Sequence, residues 1–319
     1  MTAESLVRKL ETAVPAERIL SDEPLAAHCS FKVGGPADLF IQVRTQDELR
    51  QVLPILREAG VEVFFLGRGT NLLIGDRGFR GAVVCFCADS TGGEAGGNDQ
   101  DETLQSVLVD GTTIRAGAGA SLHKAAAQAC RASLTGLEFA AGIPGTVGGG
   151  VVMNAGAYGG EMKQVVTEVT VLTGSGEIRT YTNEEMEFGY RTSRLKREPS
   201  VVLSVLMQLR AGQQEQIEEK MADLARQRRE KQPLEYPSAG STFKRPEGYF
   251  AGKLIEDAGL KGFAVGGAEV SVKHSGFVIN RGGASAAEIR SLIEQVQQRV
   301  YEDAGVRLER EVIYLGEFD

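Results

Sequence analysis

The feature that most constrains this chain is a long uncharged stretch rich in glycine. Residues 136–161 read GLEFAAGIPGTVGGGVVMNAGAYGGE, and no formal charge lies between Glu138 and Glu161. About 20 apolar residues can span a bilayer, but eight glycines and Pro144 between Glu138 and Glu161 make a lipid-buried helix unfavourable here. Bare glycine backbone instead lets N–H groups approach a large, flat or anionic ligand. The stretch therefore predicts a ligand site.

Composition restricts the class of ligand and the compartment. The 319 residues carry a net charge of -8, which argues against a general surface for nucleic acid or anionic membranes. Any anionic substrate must then be met by local Arg and Lys. The first twenty residues mix charges into every turn and lack an apolar core, so we expect no signal peptide and a cytoplasmic protein.

Cysteine and histidine usage argues against a metal site. The cysteines Cys29, Cys85, Cys87 and Cys130 lie in apolar segments without paired ligand spacing. We expect buried thiols and no zinc, because only three scattered histidines are available.

Periodicity and capping signals predict an α+β fold rather than a regularly alternating parallel sheet. Thr45 with Glu48, and Ser285 with Glu288, are capping boxes that open helices. Asp110-Gly111 predicts a hairpin turn, and Ser121 an N-cap. Strand patterns occupy 37–43, 61–67, 81–87, 106–120, 166–182, 200–210, 276–280 and 305–316, and helical patterns also cover 213–231 and 250–258. The polar segment 88–102 is predicted to be a surface insertion, and a domain boundary falls near Gly212.

Two glycine-rich turns suggest the ligand. Residues 67–74 (GRGTNLLI) follow a strand, and 142–149 (GIPGTVGG) lie in the uncharged stretch. Neither is a P-loop, and 117–123 lacks the third glycine of a dinucleotide fingerprint. Each turn alone would more often be structural, but two at strand ends favour a cofactor with a pyrophosphate.

Six motifs in order carry a family resemblance. They are HCSFKVGGPAD (28–38), GRGTNLLI (67–74), GLEFAAGIPGTVGG with MNAGAYG (136–159), FGYRTSR (188–194), AGSTFKRP (239–246) and LEREV (308–312). With these, the chain resembles the UDP-N-acetylenolpyruvoylglucosamine reductases, which are flavoenzymes of peptidoglycan precursor synthesis, and it looks like their shorter class.

The resemblance implies non-covalent FAD in a fold like that of vanillyl-alcohol oxidase-type flavoproteins. It implies two FAD-binding subdomains, 1–80 joined by the tail 312–319 and 81–211, and a substrate domain at 212–311. The matched cofactor-binding residues are Gly69, Thr70, Asn71, Ile143, Gly149, Val152, Ala155 and Gly156.

The implied reaction is reduction of the enolpyruvyl ether of UDP-N-acetylglucosamine, with NADPH as hydride donor. The matched catalytic residues are Arg191, Ser241 and Glu311. Arg191 suits a carboxylate with developing enolate charge, Ser241 is matched to the proton donor, and Glu311 is expected to have a raised pKa. Without the motifs, Arg191 would read as a surface arginine, Ser241 as a turn residue and Glu311 as a solvated strand carboxylate.

Further substrate contacts are predicted at Tyr158, Tyr190, Lys253, His274 and Arg245. Arg245 stands where some relatives have asparagine, so we expect Arg245 or Lys253 to contact the UDP diphosphate. His274 could equally be a structural histidine, and Tyr158 could simply finish its turn.

Other functions give distinguishable predictions. Another FAD enzyme of this fold that oxidises a small alcohol or sugar would often tether its flavin covalently. A non-catalytic binding module would not need Arg191, Ser241 and Glu311 together. The basic run 226–231 is interpreted as a solvated helix end rather than an RNA-binding helix, and no obligate protein partner is inferred.

Overall fold

The computed structural model of the protein describes residues 2–86, 103–198 and 200–318, and it confirms the α+β fold class. Within these residues the α-helices are α1 (Ala3–Leu10), α2 (Gln46–Glu58), α3 (Leu122–Arg131), α4 (Val147–Val152), α5 (Gln214–Lys231), α6 (Ala251–Asp257) and α7 (Ala286–Ala304). The predicted insertion at 88–102 and Cys87 lie outside the described residues.

The strands are short and numerous. They are β1 (Ile19–Pro24), β2 (Pro36–Gln42), β3 (Val63–Leu66), β4 (Leu72–Ile74), β5 (Phe79–Cys85), β6 (Val107–Asp110), β7 (Thr113–Gly117), β8 (Leu134–Thr135), β9 (Gly156–Ala157), β10 (Gly160–Glu161), β11 (Val166–Thr173), β12 (Ile178–Thr182), β13 (Ser200–Gln208), β14 (Arg210–Ala211), β15 (Ala264–Val265), β16 (Ala268–Val270), β17 (Val278–Asn280) and β18 (Ile313–Leu315).

The capping signals in the sequence form as predicted. Thr45 and Glu48 close the capping box of α2, and Ser285 and Glu288 close that of α7. Ser121 accepts a hydrogen bond from the Lys124 N–H at the start of α3. Each cap satisfies backbone donors that have no partner inside the helix, so these helix starts are fixed locally.

The chain divides into two compact units. The first comprises Met1–Leu20, Phe40–Arg68 and Val83–Arg228, and the second comprises Ser21–Leu39, Gly69–Ala82 and Arg229–Asp319. The division falls within β1, β2 and β5, which with β3 form a four-stranded sheet of order β1-β2-β5-β3. The three-domain division expected from the resemblance stays a prediction.

The first unit has a five-stranded antiparallel sheet of order β12-β11-β13-β7-β6. Its central strands carry fully buried Val169, Val171 and Val205. Helices α3 and α4 contact β7, and α4 also contacts β13. The sheet therefore holds the glycine-rich helix α4 in a fixed place.

The second unit has a three-stranded antiparallel sheet of order β15-β16-β17, against which α7 packs. The buried face of α7 includes Ile289, Leu292 and Val296. A separate parallel pair joins β18 to β4, with Ile313 opposite Leu72 and Leu315 opposite Ile74.

The predicted final strand at 305–316 is wrong in extent, because only Ile313–Leu315 are a strand. The buried residues of this segment are Leu308, Val312 and Leu315, a spacing that a period of two does not produce. The segment also changes pairing partner. The Lys244 N–H donates to the Glu309 carbonyl, whereas the Ile313 N–H donates to the Asn71 carbonyl. A regular strand over 305–316 would place Glu309, Glu311, Ile313 and Leu315 on one face, and this alternation does not hold.

Candidate active site

The predicted site residues fall into two groups, one in each compact unit. The second unit holds Gly69, Thr70, Asn71, Ser241, Arg245, Lys253, His274 and Glu311, and the first unit holds Ile143, Gly149, Val152, Ala155, Gly156, Tyr158, Tyr190 and Arg191.

In the second unit, the turn at Gly69 and Thr70 needs glycine. Gly69 has φ of +60°, and a Cβ built there would lie 2.2 Å from the carbonyl oxygen of His28. The Gly69 carbonyl in turn accepts a hydrogen bond from the Ser30 N–H at 3.1 Å. The residues 28–30 and 69–71 therefore form one close-packed backbone layer, with Thr70 half-buried in its turn.

Asn71 joins this turn to the C-terminal segment. Its Nδ2 donates to the Glu311 carbonyl at 3.2 Å, and its own carbonyl accepts from the Ile313 N–H at 3.0 Å. The parallel β4–β18 pair continues from this point. A predicted cofactor residue and a predicted catalytic residue are thus in direct contact.

Ser241 is brought beside Glu311 by an antiparallel pairing of two segments. The Glu311 N–H donates to the carbonyl of Thr242 at 2.9 Å, and Phe243 forms a bridge with Arg310. Thr242 is fully buried, and its Oγ1 accepts from the Val278 N–H at 3.0 Å. Ser241 itself is exposed and Glu311 is half-buried. The anchor at Thr242 therefore fixes both backbones while the Ser241 hydroxyl stays accessible.

His274 lies next to the same anchor. The Thr242 N–H donates to the Gly276 carbonyl at 2.9 Å, and the Gly276 N–H donates to His274 Nδ1 at 3.1 Å. Burial lowers the pKa of His274, and its ring packs edge-on against Phe277 with centroids 4.8 Å apart. These contacts favour a neutral imidazole with the proton on Nε2.

Lys253 lies on α6, near this histidine in the fold. A Cβ built on the preceding Gly252 would lie 3.7 Å from His274 Cε1. The Lys253 ammonium is exposed and pairs with Asp257, and the hydrogen bond that it donates to this carboxylate raises the pKa of the lysine. The lysine therefore stays charged at the surface of the unit.

Arg245 stacks on an aromatic ring. Its guanidinium carbon lies 3.9 Å from the centroid of the Phe250 ring, and its Nε donates to the Tyr249 carbonyl at 3.3 Å. Sequence reasoning identified Arg245 but gave no role to either aromatic residue.

In the first unit, helix α4 presents one open glycine between two packed ones. A Cβ built on Gly148 would lie 2.9 Å from Ala118 Cβ, and one on Gly150 would lie 3.2 Å from Leu122 Cδ1. Gly149 is exposed, and a Cβ built on it would meet, among the described residues outside the backbone of α4, only the Oγ1 of the N-cap Thr146, at 3.4 Å. Bare backbone is therefore accessible at Gly149, and this arrangement suits a large ligand such as a flavin nucleotide.

Arg191 contacts the segment that follows this helix. Its Nη2 donates to the Gly156 carbonyl at 3.3 Å, and its guanidinium carbon lies 5.4 Å from the Tyr190 ring centroid. Arg191 has φ of +54°, a conformation that costs free energy in a residue with a side chain. The turn thus holds Arg191 in a strained backbone conformation, with its side chain against a predicted cofactor residue.

The remaining predicted cofactor residues lie in the same stretch. Val152 accepts a hydrogen bond from Ser193 Oγ at 2.9 Å, and the Ala155 N–H donates to the Gly150 carbonyl at 2.7 Å. Ile143 is half-buried in the turn that precedes Thr146. The buried Asn154 side chain bonds Glu161, Gly189 and Lys163, so its role is to close the turn.

Within residues 226–231, Arg226, Arg229, Glu230 and Lys231 are exposed, as predicted for a solvated helix end, but Arg228 is an exception. It is half-buried, and a Cβ built on Gly142 would lie 3.4 Å from both its Cδ and its Nη1. Burial lowers the pKa of Arg228, and an electrostatic interaction with Tyr158 partly opposes this shift of the pKa. Tyr158 is 43% exposed, with φ of +52°. No local pattern in the sequence could have revealed this long-range contact.

A cavity of about 680 Å³ also lies in the first unit. Its apolar lining includes Val63, Phe65, Leu172, Leu195 and Val201, and its cations are Arg57, Lys196 and Arg197. Sequence reasoning predicted none of these residues. Lys196 connects the cavity to the predicted site, because its Nζ donates to the Arg191 carbonyl at 3.4 Å.

Two other classes of site have no counterpart in the part of the chain that the structure describes. Among residues 2–86, 103–198 and 200–318, no helix combines the length and apolarity needed to cross a membrane. The same residues contain no cluster of three or more His, Cys, Asp or Glu side chains arranged to hold a metal ion. Cys29, Cys85 and Cys130 are buried, as predicted.

Comparison with known proteins gives consistent matches. Residues 37–182 match the FAD binding domain family, and residues 232–315 match the C-terminal domain of UDP-N-acetylenolpyruvoylglucosamine reductase. Proteins of that name from Caldanaerobacter subterraneus subsp. tengcongensis and Geobacillus thermodenitrificans are 49% and 46% identical, each covering 99% of both chains.

A solved structure agrees in fold. The crystal structure of UDP-N-acetylenolpyruvylglucosamine reductase from Thermus caldophilus has a TM-score of 0.75 and 34% identity, covering 93% of this chain and 98% of that one. Sequence and fold therefore agree, and this chain belongs to the UDP-N-acetylenolpyruvoylglucosamine reductase family.

Proposed function

We propose that this chain reduces UDP-N-acetylglucosamine enolpyruvate to UDP-N-acetylmuramate in the cytoplasm, with FAD as bound cofactor and NADPH as hydride donor. The observation that carries the proposal is the anchored pairing of Ser241–Thr242 with Glu311 in one unit. A chain of this family needs those two side chains together at the reacting carbon, and relatives that cover the whole chain bear the reductase name.

The residues of both units suit a flavin nucleotide. Gly69, Thr70 and Asn71 offer a tight backbone turn for a pyrophosphate, and Gly149 offers an open backbone face beside Val152. When bound, FAD supplies the hydride chemistry, and the chain supplies binding, orientation and proton transfer. Ile143, Ala155 and Gly156 would line the same cofactor.

The cavity beside Arg191 is the proposed place of the cofactor's adenosine half. Its volume and apolar walls suit a purine nucleoside, and much of its lining lies within the segment that matches the FAD binding domain. Val201→Trp would fill this cavity, and we expect it to weaken FAD binding at least tenfold while FMN binding is unchanged. Equal weakening of FAD and FMN binding would contradict the placement of the adenosine half in this cavity.

The protein residues have separate tasks at the substrate. Hydride addition to the enolpyruvyl methylene leaves negative charge on the adjacent carbon and its carboxylate. Arg191 would bind that carboxylate with its planar guanidinium, and Glu311 would donate a hydrogen bond to the developing enolate. The exposed Ser241 hydroxyl would then protonate the carbon.

Binding of the nucleotide sugar is assigned to cationic and aromatic residues. Arg245 and Lys253 would contact the diphosphate, because both are exposed cations in the unit that holds Ser241. Tyr158, Tyr190 and His274 are the further proposed contacts. No nucleic acid, membrane or obligate protein partner is part of the proposal.

Stopped-flow spectroscopy tests the function directly. The protein is reduced anaerobically with NADPH and mixed with UDP-N-acetylglucosamine enolpyruvate while flavin absorbance is followed. We expect rapid reoxidation with formation of UDP-N-acetylmuramate. A flavin that stays reduced until oxygen is admitted would contradict the substrate assignment and favour an oxidase. Yellow colour that stays with the protein after denaturation would indicate covalently bound flavin and would also favour an oxidase.

Variants test the assigned roles. Ser241→Ala and Glu311→Gln should each slow reoxidation by roughly 10²- to 10⁴-fold, the usual contribution of a positioned acid. Ser238→Ala and Glu309→Gln are matched controls, because they change the same segments without touching the proposed chemistry. Flavin reoxidation at a near wild-type rate in Glu311→Gln would contradict the proposed role of that carboxyl.

A further inference from the structure

Two aromatic residues that the proposed chemistry does not use stand at the surface of the second unit. Tyr249 is 48% exposed and Phe250 is 61% exposed, directly before α6. Single exposed apolar residues are common on protein surfaces, but two adjacent exposed rings beside an exposed cation form a patch that can contact a ligand.

The Phe250 ring is ordered by the turn that precedes it. The Tyr249 N–H donates to the Pro246 carbonyl at 3.1 Å, and Gly248 supplies φ of +74° at a position with open space around it. Arg245 closes the turn from the side, with Nε bonded to the Tyr249 carbonyl and its guanidinium 3.9 Å from the ring centroid of Phe250. The ring therefore has a cation on one side and a large solvent-exposed surface, and little ordering is needed when a ligand binds.

The position of the turn fits the far end of an extended substrate. Thr242 to Lys244 run antiparallel to Glu309–Glu311, and the backbone from Ser241 to Arg245 spans at most roughly 13 Å when extended. A substrate whose reacting carbon lies at Ser241 would then carry its sugar and diphosphate along this segment. Its base would come near the turn that holds Phe250.

We propose that Phe250 is the stacking platform for the uracil base of the nucleotide sugar, with Arg245 held over the ring and directed to the diphosphate. This inference rests on the proposed function and adds a base subsite to it. An aromatic face stacks on any nucleobase, because each base has a flat π surface. Phe250 therefore contributes affinity for the presence of a base and little selection among bases.

Calorimetric titration of the FAD-loaded protein with UDP, ADP and inorganic pyrophosphate tests the subsite. Phe250→Ala and Phe250→Leu should weaken UDP and ADP binding about tenfold or more and leave pyrophosphate binding unchanged. Phe250→Tyr should restore UDP binding, because it keeps the aromatic face. Phe250→Leu keeps apolar volume, so it separates stacking from a folding defect.

The matched control is Tyr301→Ala. Tyr301 is 42% exposed in the same unit, and the Arg307 guanidinium lies 4.8 Å from its ring centroid. It has the same kind of stacked pair without the position next to Ser241, so its loss should not change UDP binding.

The outcomes separate the two proposals. If wild type turns over the substrate and both the alanine and the leucine variants bind UDP normally, the base subsite is wrong and the function stands. Equal loss of UDP and pyrophosphate binding would also contradict stacking. If wild type neither binds UDP nor turns over the substrate, the proposed function fails and the subsite fails with it.

Discussion

The side-chain amide of Asn71 donates a 3.2 Å hydrogen bond to the backbone carbonyl of Glu311, although the two residues are 240 positions apart. The bond lies where the C-terminal segment leaves Thr242 and pairs with β4. The segment is therefore held from two sides at the residue whose side chain is assigned to the reaction.

Asn71→Ala should reduce activity more than stability. One neutral hydrogen bond contributes about 1 kcal/mol to the free energy of unfolding, but a small shift of a reacting group can lower turnover by up to about 100-fold. We expect turnover to fall at least tenfold, measured by substrate-dependent reoxidation together with urea unfolding. Asn183→Ala is the control, because its Nδ2 donates to the carbonyls of Lys163 and Val166. Equal loss of turnover in both variants would contradict a positional role for Asn71.

A comparison of Gly69→Ala with Gly111→Ala separates two effects of adding a methyl group, namely steric crowding and an unfavourable positive φ. Both glycines have positive φ, +60° and +55°, but a Cβ meets the His28 carbonyl oxygen at 2.2 Å only at Gly69. A Cβ at Gly111 meets nothing within 4 Å, so its replacement should cost only about 1 kcal/mol. We expect Gly69→Ala to lose bound flavin and most of its soluble yield, measured by absorbance of the purified protein. Normal flavin content in Gly69→Ala would mean that the turn can move away from residue 28.

Local signals predicted those parts of the fold that depend on neighbouring residues. The capping boxes at Thr45 and Ser285 and the hairpin at Asp110 need only residues within four positions. The extent of the final strand could not be predicted, because it is decided by two distant partners, Thr242 and Asn71.

In the candidate site, too, local sequence predicted some residues and long-range contacts decided others. Motifs identified Ser241 and Glu311, and the structure pairs their segments through Thr242. Arg228 was assigned to solvent because a basic helix end usually is solvated. Arg228 lies against Gly142, which is 86 positions earlier in the chain, and no short-range pattern encodes such a contact.

The ion pair between Arg18 and Glu48 predicts a pH-dependent stability. The two side chains are 10% and 18% exposed and 2.6 Å apart. Burial opposes ionisation of Glu48, but the hydrogen bonds from Arg18 and the Arg44 N–H outweigh it and hold the pKa of Glu48 below its usual range. Since the folded pKa lies below the unfolded one, the stabilisation is complete above the unfolded value of about 4.3 and is lost as pH falls through the folded pKa.

Glu48→Gln should therefore lower the free energy of unfolding by about 2 to 3 kcal/mol at pH 7, which is less than for a fully buried pair. The difference in the free energy of unfolding between this variant and wild type should shrink below about pH 4. Urea unfolding at a series of pH values from 7 to 3.5 measures this difference. Glu58→Gln, on the same helix but in an exposed pair with Lys9, should show no such dependence. If the free energies of unfolding of Glu48→Gln and wild type differ by the same amount at every pH, the charge of Glu48 contributes nothing to stability.

Gly149→Ala should have opposite effects on the folded protein and on its cofactor. The new Cβ would meet only Thr146 Oγ1 at 3.4 Å, and alanine in a helix is favoured over glycine by about 1 kcal/mol. We therefore expect the flavin-free protein to unfold at the same or a higher temperature. The same methyl group would occupy the open backbone face assigned to FAD, so flavin affinity should fall at least tenfold, measured by fluorescence titration. In Gly148→Ala, the Cβ would lie 2.9 Å from Ala118 Cβ, so this variant should instead lose about 1 to 3 kcal/mol of stability through overpacking. Unchanged flavin affinity in a stable Gly149→Ala protein would place the cofactor away from α4. Loss of flavin affinity without loss of stability would establish that the open space at Gly149 serves a ligand rather than packing.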